Sequence, residues 1–203
     1  MKIRVPLSPV VLAAAFLLNH AAHAKTINAL PPPCSTQSSP QTTPPAPKNS
    51  AEDPIRQEER KNEEVIRNAF ASVNRGDLDA YVDYWDLDAK NFNVAIGREG
   101  IRRGIEDIRA TFPDWHMEIT ELIARGDSVV ARFAVTGTHR GVGKLPMNGG
   151  MLVGVQPTGK HFNVEHIHWF KLRNGKIVEH TATRNDIGMM RQLGLLPPTG
   201  LPK

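Results

Sequence analysis

The sequence has few of the residues and charges on which several protein classes depend. Cys34 is the sole cysteine among 203 residues, so no disulfide can form within the chain. The formal net charge is only +4. Nucleic-acid-binding proteins and proteins that bind anionic membranes carry a concentrated excess of basic side chains. We therefore expect neither nucleic acid nor a membrane surface as a partner.

The apolar run near the start of the chain is short, and its flanks are typical of an export signal. Lys2 and Arg4 precede an apolar run over 10–18, and Ala-His-Ala follows at 22–24. Such a run is too short to span a bilayer comfortably, so we predict a cleaved signal peptide over 1–24 and a periplasmic or secreted protein. The alternative is an uncleaved anchor. Cleavage would lower the formal charge to +2.

Proline is concentrated in the segment that follows. Residues 25–57 contain 8 of the 16 prolines, and Ser, Thr and Gln fill most of the gaps. A segment of this composition cannot bury enough apolar surface to offset the entropy of ordering it. We predict a disordered tether over 25–57, one folded domain over 58–197 and a short tail over 198–203.

The first half of the domain has the apolar spacing of helices. Apolar residues recur three and four positions apart over 65–73, and Gly76 ends this predicted helix. Asp77 is a candidate N-cap for a second helix whose apolar stripe extends to Trp85. A third helix is predicted from about Arg98 to Pro113.

After residue 115 the period changes from helical to strand-like. Strands are predicted over 115–124, 128–139, 161–172 and 176–184, followed by a short helix over 187–193. The glycine-rich segment 140–160 is predicted to be a mobile lid. Helices followed by a mostly antiparallel sheet indicate an α+β fold. We expect a curved sheet wrapped over the helices as a cone-shaped barrel with one open mouth, a common ligand site.

A series of short motifs over about 60–197 resembles the SnoaL-like polyketide cyclases, also called ester cyclases. The motifs are Gly97-Arg98-Glu99-Gly100-Ile101, Phe112-Pro113-Asp114, Gly126-Asp127, Gly137-Thr138-His139-Arg140-Gly141, Pro157-Thr158-Gly159, Asn174-Gly175-Lys176-Ile177-Val178-Glu179-His180, and the segment from Asp186 to Gly194. The resemblance implies the nuclear transport factor two-like cone. It also implies a cofactor-free intramolecular aldol cyclisation of a small hydrophobic carbonyl or ester compound.

Asp186 is the candidate catalytic base. The resemblance implies that Asp186 occupies the position of the family's acidic general acid/base residue. Formation of an enolate needs a base at the C–H bond. The alternative is structural, because aspartate is also a preferred N-cap at the start of a helix.

His166 and His168 lie two positions apart on a predicted strand, so their side chains share one face. Phe170 shares that face, which indicates the concave side. We expect at least one of these histidines to polarise a substrate carbonyl, although either one alone could be a satisfied core residue. A His-x-His pair can also bind zinc or copper, with Glu179 or His180 as a third ligand. We expect no metal and no cofactor.

Further residues are predicted to contact the ligand: Phe92, Trp115, His139, Phe170, Thr181 and Met190. Two of them depart from the resemblance, because relatives usually carry histidine near Phe92 and tryptophan near Thr181. On the outer sheet face, Ile167 and Trp169 would expose apolar surface unless another part of the chain or a second subunit packs on them. The resemblance implies a homodimer through that face. Two functions stay open: a cyclase-type enzyme, and a non-catalytic small-molecule-binding domain with the same fold.

Overall fold

The computed structural model describes residues 53–146 and 150–197. The predicted signal peptide, nearly all of the predicted tether and the C-terminal tail lie outside the described residues. Among the helices of the described part, none combines the length and the apolar character needed to cross a bilayer.

Side-chain caps determine where the first two helices begin. Helix α1 spans Pro54–Asn74, and the carboxylate of Asp53 accepts a hydrogen bond from the Ile55 amide at 3.0 Å. Helix α2 spans Leu78–Asp83 and begins, as predicted, at Asp77, whose side chain accepts from the Ala80 amide at 3.0 Å. An aspartate at this position satisfies amide groups that have no partner within the helix.

The prediction that the second helix reaches Trp85 is wrong. Strand β1 (Trp85–Asn91) starts there and pairs in parallel with the last strand, with Trp85 opposite Ile177. Strand β2 (Val94–Ala95) follows after a tight turn. Trp85 has the spacing that would continue the apolar stripe of α2. Its conformation is nevertheless extended, because pairing with a distant strand outweighs the local helical pattern. Helix α3 then spans Gly97–Thr111.

The predicted strands of the second half are all present. They are β3 (His116–Arg125), β4 (Ser128–Thr138), β5 (His161–Arg173) and β6 (Lys176–Arg184), and helix α4 (Asp186–Gln192) follows. The six strands form one sheet in the order β2-β1-β6-β5-β4-β3, antiparallel except for the β1–β6 pair. The α+β fold is as expected, although the sheet stays open, with β2 and β3 as its edges.

The concave face of the sheet is covered by the first three helices. Helix α1 packs against β3 and β4, and α3 packs against β1. Register shifts interrupt the β1–β6, β3–β4 and β5–β6 ladders, and such bulges bend a sheet. Along β5 the side chains alternate without exception between exposed and buried. The buried set faces the helices and forms one wall of the core.

The described parts of the 140–160 loop are anchored rather than free, which contradicts the prediction of a mobile lid. The amides of Lys144 and Leu145 donate to the carboxylate of Asp107 in α3 at 3.0 and 3.1 Å. Leu152 is 5% exposed and belongs to the core. None of the described loop residues lines the cavity that the sheet encloses. Residues 147–149 of this loop lie outside the described residues.

Candidate active site

A cavity lies between the concave face of the sheet and the helices. Its empty volume, including the solvent at its open mouth, is about 890 Å³. Most of its lining is apolar and aromatic, with Phe70, Trp85 and Ile105 among the contributors. Apart from the indole nitrogens of its two tryptophans, the side chains that bring polar atoms to it are Tyr81, Asn91, His166, His168, His180 and Arg184. An apolar cavity with a few convergent polar groups is the usual form of a small-molecule site.

Strands β5 and β6 position most of the polar residues. His166 and His168 occupy inward positions of β5 and are each 8% exposed, as the alternation predicted. Arg184 of β6 is the cross-strand neighbour of His166, and His180 is the neighbour of Phe170. Side chains that are opposite or diagonal on one face of a sheet are within contact distance. The three histidines and the arginine therefore meet at one wall of the cavity.

The histidines form a continuous hydrogen-bonded row that ends at Asn91. Nδ1 of His180 lies 2.7 Å from Oδ1 of Asn91, and Nε2 of His180 lies 2.9 Å from Nδ1 of His168. Nε2 of His168 lies 3.5 Å from Nδ1 of His166, whose ring is nearly parallel to it at an angle of 15°. Nε2 of His166 is buried and has no hydrogen-bond partner among the described residues. We call these four residues the histidine row.

All three histidines of the row are uncharged at neutral pH. Burial lowers the pKa of His166 to about 4, and the positive charge of Arg184 adds to this effect. Burial and Arg184 lower the pKa of His180 to about 3. The pKa of His168 is also well below its ordinary value, because of burial first and then of the neighbouring His180, His166 and Arg184. A neutral imidazole has one N–H donor and one nitrogen lone pair.

Asp186 does not cap the last helix, so the N-cap alternative for this residue is wrong. The cap is Asn185, whose side chain accepts from the Gly188 amide at 2.9 Å. Oδ2 of Asp186 pairs with Nε of Arg184 at 3.3 Å, while Oδ1 is buried without a hydrogen-bond partner in the described residues. Arg184 lines the cavity, and Asp186 stands next to it without being part of the lining itself.

The other predicted contact residues divide into two groups. Phe92, Trp115 and Phe170 line the cavity. Phe92 is 41% exposed with φ +49°, and the guanidinium carbon of Arg184 lies 5.5 Å from the centre of its ring. A bulky residue rarely adopts a left-handed conformation, and such residues cluster at functional sites.

Three predicted residues lie outside the cavity lining. Met190 is buried in the core, and its neighbour Met189 lines the cavity instead. Thr181 lies in a small groove of the outer sheet face beside Trp169. His139 is fully buried, where Nδ1 lies 3.3 Å from the Thr158 amide, which donates to it, so it holds the loop in place. The prediction that Thr181 contacts a ligand in the cavity is therefore wrong.

The sequence reasoning missed Asn91, Arg184 and Tyr81, and it considered His180 only as a metal ligand. Tyr81 is 3% exposed, and burial raises the pKa of its phenol, so the hydroxyl stays protonated. The metal alternative has no support: Glu179 lies at the outer groove, and within residues 53–146 and 150–197 no three His, Cys, Asp or Glu side chains form a metal-binding group.

Comparison with known proteins identifies the family. The model of the SnoaL-like polyketide cyclases matches residues 64–193. The chain belongs to this family. The nogalonic acid methyl ester cyclase of Streptomyces nogalater is 30% identical to this SnoaL-like chain over 129 residues, which cover 62% of this chain and 90% of that enzyme. The family match and this relative support the assignment of the chain as a cyclase-type enzyme.

Solved structures support the same fold assignment. IdmH of Streptomyces antibioticus, a candidate polyketide cyclase, has a TM-score of 0.54 and 26% identity, covering 66% of this SnoaL-like chain and 98% of IdmH. AclR of Streptomyces galilaeus, a candidate hydroxylase, has a TM-score of 0.57 and 26% identity, covering 68% and 99%. Similar folds thus carry different proposed reactions, so the reaction must be argued from the site.

Proposed function

We propose that this protein catalyses a cofactor-free, acid–base cyclisation of a hydrophobic carbonyl or ester compound bound in the cavity. The observation that carries the proposal is the pairing of Asp186 with Arg184 beside the uncharged histidine row. One carboxylate oxygen has no partner, the guanidinium faces the cavity, and the rest of the lining is largely apolar. This arrangement offers a proton acceptor and a fixed positive charge in a poorly solvated space.

In the proposed reaction, Asp186 takes a proton from the carbon next to a carbonyl group, and the C–H electron pair becomes the enolate. The enolate carbon attacks a second carbonyl carbon of the same molecule, which forms the ring bond and places the negative charge on the second oxygen. That alkoxide takes the proton back from Asp186. Arg184 stabilises both developing anions, which a preorganised charge does best where water is excluded.

The geometry sets one requirement on this mechanism. In the ligand-free protein Asp186 is held against Arg184 and is 18% exposed. The substrate must therefore draw the carboxylate toward its carbon when it binds. Catalytic contacts are often long in ligand-free proteins and shorten in the complex, so this requirement is an ordinary one.

The test of the base is the Asp186→Asn variant. We expect a loss of turnover of about a hundredfold or more on aryl polyketide esters, with ligand binding retained. Because Asn185 provides the cap, any loss of stability should come from the weakened ion pair with Arg184 alone, and the variant should remain folded. The matched control is Asp127→Asn, an exchange at an exposed carboxylate. Full activity of Asp186→Asn would exclude Asp186 as the base, whereas a wild-type protein that binds the ligand without turning it over would favour the non-catalytic binding domain.

A further inference from the structure

We infer that Asn91, acting through His180 and His168, fixes the tautomer of His166, so that His166 presents an unprotonated Nε2 to the ligand. His166 is then a hydrogen-bond acceptor in the cavity, and Asn91 and His180 are positioning residues. The inference rests on the proposed function only in assuming that the cavity binds a small hydrophobic ligand. The tautomers themselves can be measured without any activity.

The argument starts at the Asn91 end of the row. An amide oxygen can only accept, so Nδ1 of His180 carries the proton in the 2.7 Å contact with Oδ1 of Asn91. A neutral imidazole has one proton, so Nε2 of His180 has the lone pair. That lone pair faces Nδ1 of His168 at 2.9 Å, which must donate.

The same reasoning passes along β5. Because Nδ1 of His168 carries the proton, its Nε2 has the lone pair and accepts from Nδ1 of His166. This contact, at 3.5 Å, is the longest and weakest of the three. Nε2 of His166 is left with a lone pair, and it has no partner among the described residues although it is buried. A buried polar atom without a partner is costly, which favours a ligand group that satisfies it.

The charges around the histidine row keep its three imidazole rings uncharged. Arg184 is the cross-strand neighbour of His166, and its positive charge opposes protonation of that ring. His168 and His180 lie within 4.9 Å of each other, ring centre to ring centre, so a proton on one would repel a proton on the other. Asp186 pairs with Arg184 and leaves the row without a direct counter-charge.

The unprotonated Nε2 of His166 determines which class of ligand group can face it. A carbonyl oxygen cannot accept a hydrogen bond from an unprotonated nitrogen, so the group facing His166 must be a donor, such as an enol or phenol O–H. This differs from the expectation that His166 or His168 polarises a carbonyl. Donors in the cavity lining that could reach a carbonyl oxygen include Arg184, the protonated hydroxyl of Tyr81 and the indole N–H of Trp85, which is buried without a hydrogen-bond partner among the described residues.

The first measurement is the tautomer of each histidine by long-range ¹H–¹⁵N correlation NMR of the ligand-free protein at neutral pH. We expect His166, His168 and His180 all to carry the proton on Nδ1. In Asn91→Leu the preference at His166 should weaken or be lost, and in Asn91→Asp, which keeps an acceptor, it should persist. A proton on Nε2 of His166 in the wild type would overturn the inference, whatever the variants do.

The second measurement is binding of two matched probes, 2-naphthol and 2-methoxynaphthalene, by NMR titration. We expect 2-naphthol to bind about tenfold more tightly to the wild type, as one additional hydrogen bond allows. The preference should vanish in His166→Phe and persist in the control His116→Gln, at an exposed position. Equal binding of the two probes to the wild type would contradict the inference. Neither readout depends on turnover, so its failure is distinguishable from that of the proposed cyclisation.

Discussion

The two faces of strand β5 present opposite chemistry at neighbouring positions. On the inner face, His166 and His168 are each 8% exposed, uncharged and linked to one another. On the outer face, Ile167 and Trp169 are half exposed, and Glu165 forms an ion pair with Arg132 at 2.8 Å. Burial therefore keeps the ionisable groups of the inner face uncharged at neutral pH, whereas a carboxylate of the outer face takes part in an ion pair.

Removing a side chain from the inner face should produce the largest loss of stability. Phe170 is 0% exposed and contacts the rings of Phe70, Trp85 and His180. We expect Phe170→Ala to lower the free energy of unfolding by about 3–5 kcal/mol, measured by urea denaturation. Ile123→Ala, at a 58% exposed position of β3, is the control and should cost less than about 1 kcal/mol. Similar losses in both variants would contradict the assignment of the two faces.

The inner histidines should also make stability depend on pH. Folding lowers the pKa of His166 to about 4 and that of His180 to about 3, whereas both are near 6.5 when unfolded. The unfolded chain therefore binds more protons below pH 6.5, so stability is complete above that value and falls as the pH decreases toward 4. We expect each of these two histidines to contribute a loss of roughly 3 kcal/mol between pH 7 and pH 4.

The decisive comparison for this pH effect is between two histidine variants. His166→Gln should make the profile less steep in that window, because His166 no longer contributes, and His116→Gln, at an exposed position, should leave it unchanged. A profile that is equally steep in the wild type and in His166→Gln would show that other groups cause the acid sensitivity.

Substitutions on the outer face of β5 should change the association of subunits rather than the stability of the fold. We propose that it pairs with a second copy of the chain, because Trp169 and Ile167 expose apolar surface at alternate positions of one strand. Trp169→Asp should raise the dimer dissociation constant by about thirtyfold, or roughly 2 kcal/mol, as measured by analytical ultracentrifugation. A wild-type protein that stays monomeric at high concentration would refute this proposal.

How much of the site could be predicted from the sequence depended on the regularity of each strand. Along β5 the alternation is unbroken, so the inward placement of His166 and His168 is confirmed. Along β6 the pairing jumps from Leu172–Ile177 to Lys171–Glu179, which skips one residue. Strict alternation from the buried Ile177 would point Thr181 inward and His180 outward, and this bulge reverses them.

Asn91 was missed for a different reason. It ends β1, a strand that periodicity assigned in part to helix α2, and its place opposite His180 depends on a parallel pairing between residues about ninety positions apart. No local pattern contains such information. The helices with clear caps and the hairpin strands were predictable because their determinants are close in sequence.

The central claim, that the cavity transfers a proton from carbon, is tested most directly by isotope exchange. An aryl β-keto ester is incubated with the protein in deuterium oxide, and NMR follows loss of the proton between its two carbonyl groups. We expect exchange at least about a hundredfold faster than in buffer alone, reduced to near the buffer rate by Asp186→Asn. If the probe binds in the cavity and exchanges no faster than in buffer, or equally fast with Asp186→Asn, the claim is contradicted.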